Sequence, residues 1–312
     1  MSVFHPDLWL GRFMPNFAFG PKLSAFIRNR TRTGRIPLLD DLTVEDVDVP
    51  ADGASPAVSL RLYRPKKLTA PAPALYWMHG GGFIIGQPEQ DEAGSIAFAR
   101  ELGITVAAIR YRLAPDHPAP AAVEDAYAGL RWLHANAGSL NIDGTRIAIG
   151  GASAGGGLAA TLALVAHDRR EVTPAFQLLV YPMLDDRTVT RTDHDTRNAR
   201  VWSTASNAWA WSVYLGHAPG LPSANPYAAA ARREDLKGLP PAWIGVGTLD
   251  LFHDEDLAYA KRLNDSGVKC ELHVVPGAFH GFDALFRKAG VSKSFWHEQA
   301  RALRAALFTA RS

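Results

Sequence analysis

The sequence has little cysteine and little net charge. Cys270 is the only cysteine in 312 residues, so an intrachain disulfide is impossible and a thiolate metal site cannot be assembled from this chain alone. We therefore expect no bound metal and a reducing, cytoplasmic location. The formal charge of +2 at pH 7 produces no strong field, and no long basic stripe is present, so we expect no nucleic-acid partner.

The sequence also lacks a long apolar run. Residues 1–20 have no basic start followed by a sustained apolar stretch, because Asp7, Arg12 and Pro15 interrupt them. No stretch of about 18 apolar residues occurs anywhere, and the most apolar region, near Leu158 to Ala166, is short. We expect neither a signal peptide nor a stable membrane association, and a small molecule as the partner.

Apolar segments of two kinds alternate along the chain, and their alternation indicates an α/β protein. At 47% apolar and 21% charged residues, the composition is that of a globular protein, and the length suits one α/β core with insertions. Short apolar runs predict buried parallel strands, and the first two segments alternate apolar and polar residues as an edge hairpin does. The predicted strands are Leu42–Val49, Val58–Tyr63, Ala74–Met78, Thr105–Ile109, Arg146–Ile149, Phe176–Val180, Ala242–Val246 and Glu271–Val275.

Helices are predicted between these strands, and two regions fall outside the alternation. Apolar residues three and four positions apart predict the helices Ala121–Ala135, Ala154–Ala166, Glu255–Asn264 and Phe295–Leu307. Residues 41–184 and 236–312 are then the two parts of the catalytic core. Residues 1–40 form an N-terminal segment, and residues 185–235 form an insertion rich in aromatic residues. We interpret the insertion as a lid over an active site, since an apolar excursion needs a surface to pack on; plain surface packing is the alternative.

A nucleophile motif follows the predicted strand Arg146–Ile149. Residues 151–155 read Gly-Ala-Ser-Ala-Gly and open a helix, the context of a nucleophile elbow, in which Ser153 sits on a sharp turn. The residues two positions before and two positions after the serine must be small, because larger side chains there would collide with each other or with the neighbouring strand. A phosphate-binding loop is excluded, since Gly156 and Gly157 stand where lysine and a hydroxyl residue are required.

A glycine-rich segment, His79-Gly80-Gly81-Gly82-Phe83, follows the strand Ala74–Met78. Glycines leave backbone N–H groups free to approach a developing oxyanion. We assign the oxyanion hole to the N–H groups of Gly80, Gly81 and Ala154. His79, with Gly82, is interpreted as supporting this loop by hydrogen bonding and not as the catalytic base.

The general base and its acid partner are expected later in the chain, each on a loop after a strand. Asp250 follows Ala242–Val246 and His280 follows Glu271–Val275, so the predicted triad is Ser153, Asp250 and His280. Asp254 is the second choice for the acid, although acidic residues are also favoured at a helix start. His253 and His273 are interpreted as structural or solvated groups.

These blocks resemble the bacterial hormone-sensitive-lipase-like carboxylesterases. The resemblance rests on residues 79–83, 111–118, 151–156, 250–255 and 280–282, in that order. It implies an α/β-hydrolase fold with an eight-stranded, mostly parallel sheet flanked by helices, and a helical cap made by the N-terminal segment and the insertion. It also implies hydrolysis of short-chain acyl esters without a cofactor, and homodimers are frequent in such relatives.

The sequence departs from this family at two places. Ala152 stands where the family usually carries Asp or Glu before the nucleophile, and Leu251-Phe252 replaces the usual Pro-Leu. The first change removes a buried carboxylate, so site orientation or substrate preference is affected more than reaction class. Arg112 and Asp116, in the block 111–118, are interpreted as paired charges that hold their loop, with substrate contact as the alternative.

The combined motifs predict a serine carboxylesterase that hydrolyses short- to medium-chain acyl esters through an acyl-enzyme. Two alternatives stay open at this point. The same triad can act on lactones, amides or peptides, because fold and nucleophile do not fix the leaving group. The chain can also be a non-catalytic ligand-binding relative, although intact Ser153 and His280 argue against this.

Overall fold

The structure is a computed structural model that describes residues 3–15, 18–30, 36–53, 55–68, 70–222 and 225–308. Its strands are β1 (Leu42–Val49), β2 (Val58–Pro65), β3 (Ala72–Met78), β4 (Thr105–Arg110), β5 (Ile142–Ala152), β6 (Phe176–Val180), β7 (Ala242–Gly247) and β8 (Cys270–Val275). Its helices are α1 (Pro21–Arg30), α2 (Glu92–Leu102), α3 (Ala121–Ala135), α4 (Ala154–Arg169), α5 (Thr204–Leu215), α6 (His253–Asp265), α7 (Phe282–Leu285) and α8 (Gly290–Phe308).

All eight strands form one sheet in the order β1-β2-β4-β3-β5-β6-β7-β8. Strand β2 runs antiparallel to both of its neighbours, and the pairs from β4 to β8 are parallel. The predicted fold class is therefore confirmed. Strand β5 begins four positions earlier than predicted, at Ile142, because this residue pairs with Ala72 before an irregularity resets the register.

Helices cover both faces of the sheet and bury it. Helices α3 and α4 pack together on one face, while α2 and α8 contact each other on the other face. Every residue of α4 from Ala154 to Ala166 is buried, so this helix is apolar all round instead of amphipathic. Small side chains allow that close packing: a Cβ at Gly157 would lie 2.0 Å from the Met183 carbonyl oxygen.

The carboxyl ends of the parallel strands carry the predicted reactive residues. Ser153 directly follows β5, Asp250 follows β7 and His280 follows β8, and these strands lie in one parallel block. Parallel strands end at the same edge of a sheet, which is where open α/β folds bind their ligands. Three positions separated by up to 127 residues are therefore brought to one edge.

The regions outside the alternation are mostly short helices and loops. The N-terminal segment contains a 3-10 helix, Pro6–Phe13, and α1; the insertion contains 3-10 helices Asp186–Thr190 and Ala230–Arg232 on either side of α5. The two regions touch each other, since the Phe19 amide donates to Ser206 Oγ (2.9 Å) and the Phe19 ring lies 5.7 Å from that of Trp202. In the described ranges, no helix is both long and apolar enough to span a bilayer.

Candidate active site

Ser153 occupies a strained turn between β5 and α4. Its φ of 57° and ψ of −122° are rarely adopted by a residue with a side chain. The flanking glycines are required by close contact: a Cβ on Gly151 would lie 2.4 Å from the Gly155 carbonyl, and one on Gly155 would lie 2.1 Å from the Met78 oxygen. The turn holds the hydroxyl at the carboxyl edge of the sheet, with the residue 7% exposed.

The structure brings the three predicted reactive side chains together. His280 Nε2 lies 2.9 Å from Ser153 Oγ, and His280 Nδ1 lies 2.8 Å from Asp250 Oδ2. The other carboxylate oxygen of Asp250 accepts a 2.9 Å hydrogen bond from the Phe252 amide. With Nδ1–H donating to the carboxylate, Nε2 is left to accept the serine proton, which is the order required for nucleophilic catalysis.

Two aromatic rings hold the imidazole of His280 from its sides. The Tyr181 ring lies 4.8 Å away at an interplanar angle of 65°, and the Phe252 ring lies 5.1 Å away at 89°. Edge contacts of this kind fix the plane of the imidazole by packing. Neither ring was identified from the sequence: Tyr181 directly follows β6 and Phe252 precedes α6, and no motif distinguishes them from core aromatics.

Gly80 packs directly against the nucleophile turn. A Cβ at this position would lie 3.0 Å from the Ala152 oxygen and 3.4 Å from Ser153 Cβ, so only glycine fits without displacement. Gly81 has a φ of 121° and its carbonyl accepts from the Ile84 and Ile85 amides. Ala154 opens α4 and is fully buried. The predicted oxyanion donors therefore all belong to segments that flank Ser153.

His79 is buried below the glycine-rich loop and does not bond to Ser153. Its Nδ1–H donates to the Gly80 carbonyl (2.8 Å), its ring stacks on Tyr111 at 4.2 Å, and its own carbonyl accepts from the Tyr111 hydroxyl (2.7 Å). Burial lowers the pKa of His79 to about 4, so the ring is neutral at pH 7. Gly86 leaves room for this ring, since a Cβ there would lie 2.5 Å from His79 Nδ1.

The rejected alternatives make other contacts. Asp254 pairs with Arg191 (2.9 Å) and with His253 (2.8 Å), and its side chain is nearly half exposed. His273 on β8 lies with its ring 6.0 Å from that of Trp243. The site geometry therefore joins Asp250, and not Asp254, to His280.

The predicted pairing of Arg112 with Asp116 is wrong. Arg112 forms a bidentate ion pair with Asp125 of α3, with nitrogen to oxygen distances of 2.7 to 3.0 Å. Asp116 instead faces Arg28 of α1, at 3.5 Å. The buried Asp125 is the better partner, because a buried carboxylate needs a cation more than an exposed one does.

Aromatic residues of the insertion pack on the glycine-rich loop. Tyr214 stacks on Phe83 with ring centroids 3.9 Å apart, and a Cβ at Gly82 would lie 2.3 Å from the Trp202 ring. Trp202, Trp211 and Tyr214 are all buried, whereas Trp209 is only partly so. The insertion therefore reaches the segment that lies beside Ser153.

In the part of the chain that the structure describes, no group of three or more His, Cys, Asp or Glu side chains is placed to hold a metal ion. The buried thiol of Cys270 lies on β8, and burial raises its pKa to about 12, so it is neither a ready ligand nor a nucleophile.

The fold and this arrangement define a serine hydrolase of the α/β-hydrolase class. A family model described as the alpha/beta hydrolase fold matches residues 75–284, and the chain belongs to this family. The predicted resemblance to hormone-sensitive-lipase-like enzymes is confirmed. Its curated relatives place the chain among carboxylic-ester hydrolases.

Three relatives illustrate this similarity. Carboxylic ester hydrolase LipN of Mycobacterium tuberculosis is 37% identical over 85% of this chain and 70% of its own length. Ethyl acetate hydrolase of Pseudomonas putida is 32% identical over 72% of this chain and 70% of its own. A solved structure titled as a bacterial heroin esterase is 38% identical, with a TM-score of 0.88 over 98% of this chain and 99% of that one.

Proposed function

We propose that this chain hydrolyses short- to medium-chain acyl esters through an acyl-enzyme formed on Ser153. The observation that supports the proposal most directly is the hydrogen-bonded series Ser153 Oγ, His280 and Asp250, with contacts of 2.9 and 2.8 Å. Reactive groups already in contact remove the entropic cost of assembling them. The 7% exposure of Ser153 and the name of the Pseudomonas relative, which specifies ethyl acetate, favour small esters.

The proposed reaction has two halves. In the first, His280 Nε2 takes the proton of Ser153 Oγ as the oxygen attacks the ester carbonyl, and the backbone N–H groups of Gly80, Gly81 and Ala154 donate to the oxyanion. The imidazolium then protonates the leaving alkoxide, so alcohol departs. In the second half, His280 takes a proton from water, which attacks the acyl carbonyl and releases the acid and Ser153. Asp250 stabilises the imidazolium in both halves.

We propose that residues 1–40 and 185–235 together form a cap that bounds the substrate site. The contacts of Phe19 with Trp202 and Ser206 join the two segments, and the packing of Trp202 and Tyr214 on the glycine-rich loop joins them to the core. Such a cap sets the size of acyl group that fits. A series of p-nitrophenyl esters from acetate to palmitate tests this: we expect activity to fall beyond about eight carbons, and activity that rises with chain length contradicts it.

We also propose that the protein works in the cytoplasm, as a homodimer. The single buried cysteine supports a reducing compartment, and the dimer follows from the family resemblance. Light scattering on the protein as it elutes from a size-exclusion column tests the dimer, since a dimer has a mass near twice the 33.8 kDa of the chain. A single species at the monomer mass would refute the dimer.

The experiment for the central proposal is a burst-phase assay with p-nitrophenyl butyrate on the wild type and on Ser153→Ala. An acyl-enzyme requires the serine, so we expect an initial burst in the wild type and a loss of several orders of magnitude in the variant. A wild type that is inert on every short ester overturns the esterase proposal. It would favour hydrolysis of lactones, amides or peptides, or a ligand-binding role without catalysis. Activity unchanged by the substitution overturns the role of Ser153.

A further inference from the structure

A cavity of about 320 Å³ lies behind the nucleophile turn, between α2, α8 and the carboxyl ends of β5 and β6. Neither Ser153 nor His280 lines it. Ala152 and Tyr181 form the wall that it shares with the active site, and the Tyr181 ring also packs against His280. Ala152, which lines this cavity, stands where the family usually carries an acidic residue, so its wall there is a methyl group and not a carboxylate.

Two carboxylates, those of Asp91 and Asp283, line this cavity. Asp91 Oδ2 accepts from Trp77 Nε1 and Asp283 Oδ1 accepts from the Tyr181 hydroxyl, each at 2.9 Å. Within the described ranges, no ion pair joins either carboxylate to Lys, Arg or His. Burial raises the pKa of both groups, that of Asp91 to about 6, and the nearby charge of Asp283 contributes to the rise at Asp91. Hydrogen bonds from Trp77 and Gln90 stabilise the ionised form of Asp91, and those from Tyr181 and nearby backbone amides stabilise that of Asp283. Burial outweighs these contacts, so a cation bound in the cavity would favour both charged forms.

Two further polar atoms in the cavity wall have no protein partner. Ser292 Oγ and Trp296 Nε1, both on α8, are buried without a hydrogen bond among the described residues, and Ser292 is 3% exposed. Buried polar groups are nearly always satisfied, and a hydroxyl oxygen accepts as well as donates. Ser292 Oγ is thus an unpartnered acceptor in the cavity wall that a bound donor group could use, whereas the Trp296 N–H can only donate.

The remaining walls are aromatic. Trp77 and Phe98 lie 6.2 Å apart, and Phe98 and Trp296 stack at 5.4 Å. Aromatic faces attract cations as well as apolar groups.

The cavity also has cationic side chains, but only at its rim. Arg287 and Lys293 are exposed, and Arg287 Nε donates to the Ala284 carbonyl. The exposed imidazole of His297 also lies at this rim. Solvent and salt screen exposed charges far more than buried ones. Arg287 nevertheless lowers the pKa of Asp91, by less than burial raises it.

We propose that this cavity is a second binding site, for a small primary ammonium compound with an aromatic body. The ammonium group donates to Asp91 and Asp283, and to Ser292 Oγ, while the body lies against Trp77, Phe98 and Trp296. The ligand sits behind the triad and contacts the catalytic side only through Ala152 and Tyr181. This site is separate from the proposed substrate site.

Calorimetric titration of the full-length protein tests the site with phenethylamine as the probe. The matched compounds are 2-phenylethanol, which has the same body without the charge, and phenylacetate, which has the opposite charge. We expect phenethylamine to bind at least tenfold more tightly than either. Because the ammonium ion binds the ionised carboxylate, affinity at pH 5 should be about tenfold weaker than at pH 7.5, given the pKa of Asp91 of about 6.

Substitutions of the cavity carboxylates test whether phenethylamine binds in this cavity. Asp91→Asn and Asp283→Asn should each weaken phenethylamine binding at least tenfold while leaving the circular dichroism spectrum unchanged, whereas Asp265→Asn, an exposed carboxylate on α6, should not change it. Ser153→Ala should bind as the wild type does, which separates this result from the fate of the esterase proposal. Equal binding of 2-phenylethanol, or binding that survives both cavity substitutions, refutes the proposal. Failure of phenethylamine to bind the wild type at all also refutes it.

Discussion

The substitution Asp250→Asn tests whether Asp250 is the carboxylate that orients His280, and the structure predicts how the substitution acts. The Phe252 amide donates to Asp250 Oδ1 at 2.9 Å, so an asparagine in this position has to place its carbonyl oxygen there. Its NH₂ group then occupies the place of Oδ2, 2.8 Å from His280 Nδ1. An amide N–H can only donate, so Nδ1 must accept and the ring proton moves to Nε2. The imidazole then cannot take the proton of Ser153.

The expected loss in kcat for this tautomer change is about 10⁴-fold, which is roughly 5 kcal/mol of transition-state stabilisation. The side chain of Asp250 is fully buried, so no water replaces the lost acceptor. The assay is steady-state hydrolysis of p-nitrophenyl butyrate, with thermal unfolding measured alongside. Because asparagine nearly matches aspartate in shape, we expect a change in kcat far larger than any change in Tm or KM.

Asp254→Asn is the matched control. Asp254 lies four residues further along, is partly exposed, and pairs with Arg191 instead of His280. We expect its kcat to stay within about twofold of the wild type, since exposed ion pairs contribute little. If Asp254→Asn loses activity while Asp250→Asn retains it, the argument from the Phe252 amide is wrong.

Three other perturbations give distinct outcomes. Gly80→Ala should lower kcat about 100-fold, because its Cβ would lie 3.0 Å from the Ala152 oxygen and displace the loop. Gly94→Ala should leave kcat unchanged, because no atom lies within 4 Å of a Cβ at that position. Trp211→Ala should cost about 3 to 5 kcal/mol in unfolding free energy, measured in urea, since the ring is fully buried. The pKa of His79 is lowered to about 4 in the folded chain, so the free energy of unfolding should be highest above pH 6.5 and should fall by up to about 3 kcal/mol as the pH drops towards 4. His79→Gln should lack this dependence on pH.

The sheet and the reactive residues could be predicted because both leave local signals. Short apolar runs mark strands buried on both faces, and Phe176–Val180 has the predicted bounds in the structure. The glycines around Ser153 mark a turn that no larger residue fits, as the contact distances at Gly151 and Gly155 show. Position after a strand then selected Asp250 and His280, whose contact the structure contains.

Other features depend on contacts between distant segments, which local patterns do not encode. The packing of Phe19 on Trp202 joins positions far apart in the chain, and the pairing of Arg112 with Asp125 depends on where α3 lies. Helix α2 was not predicted, since Gly94 and Ser95 weaken its pattern near the start. The cavity at Ala152 is invisible in sequence, because only the folded chain shows that Asp91 and Asp283 face the same space.

The insertion also bears on the chemistry, because it packs on the loop proposed to stabilise the oxyanion. Phe83 has a φ of 62°, an unfavourable conformation for a bulky residue, and it is held by stacking on Tyr214 and by the Ala114 amide, which donates to its carbonyl at 2.9 Å. Strained backbone persists only where its surroundings fix it. Changes in the insertion that alter acyl preference should therefore also alter kcat, since Trp202 and Tyr214 contact Gly82 and Phe83, directly after the proposed oxyanion donors.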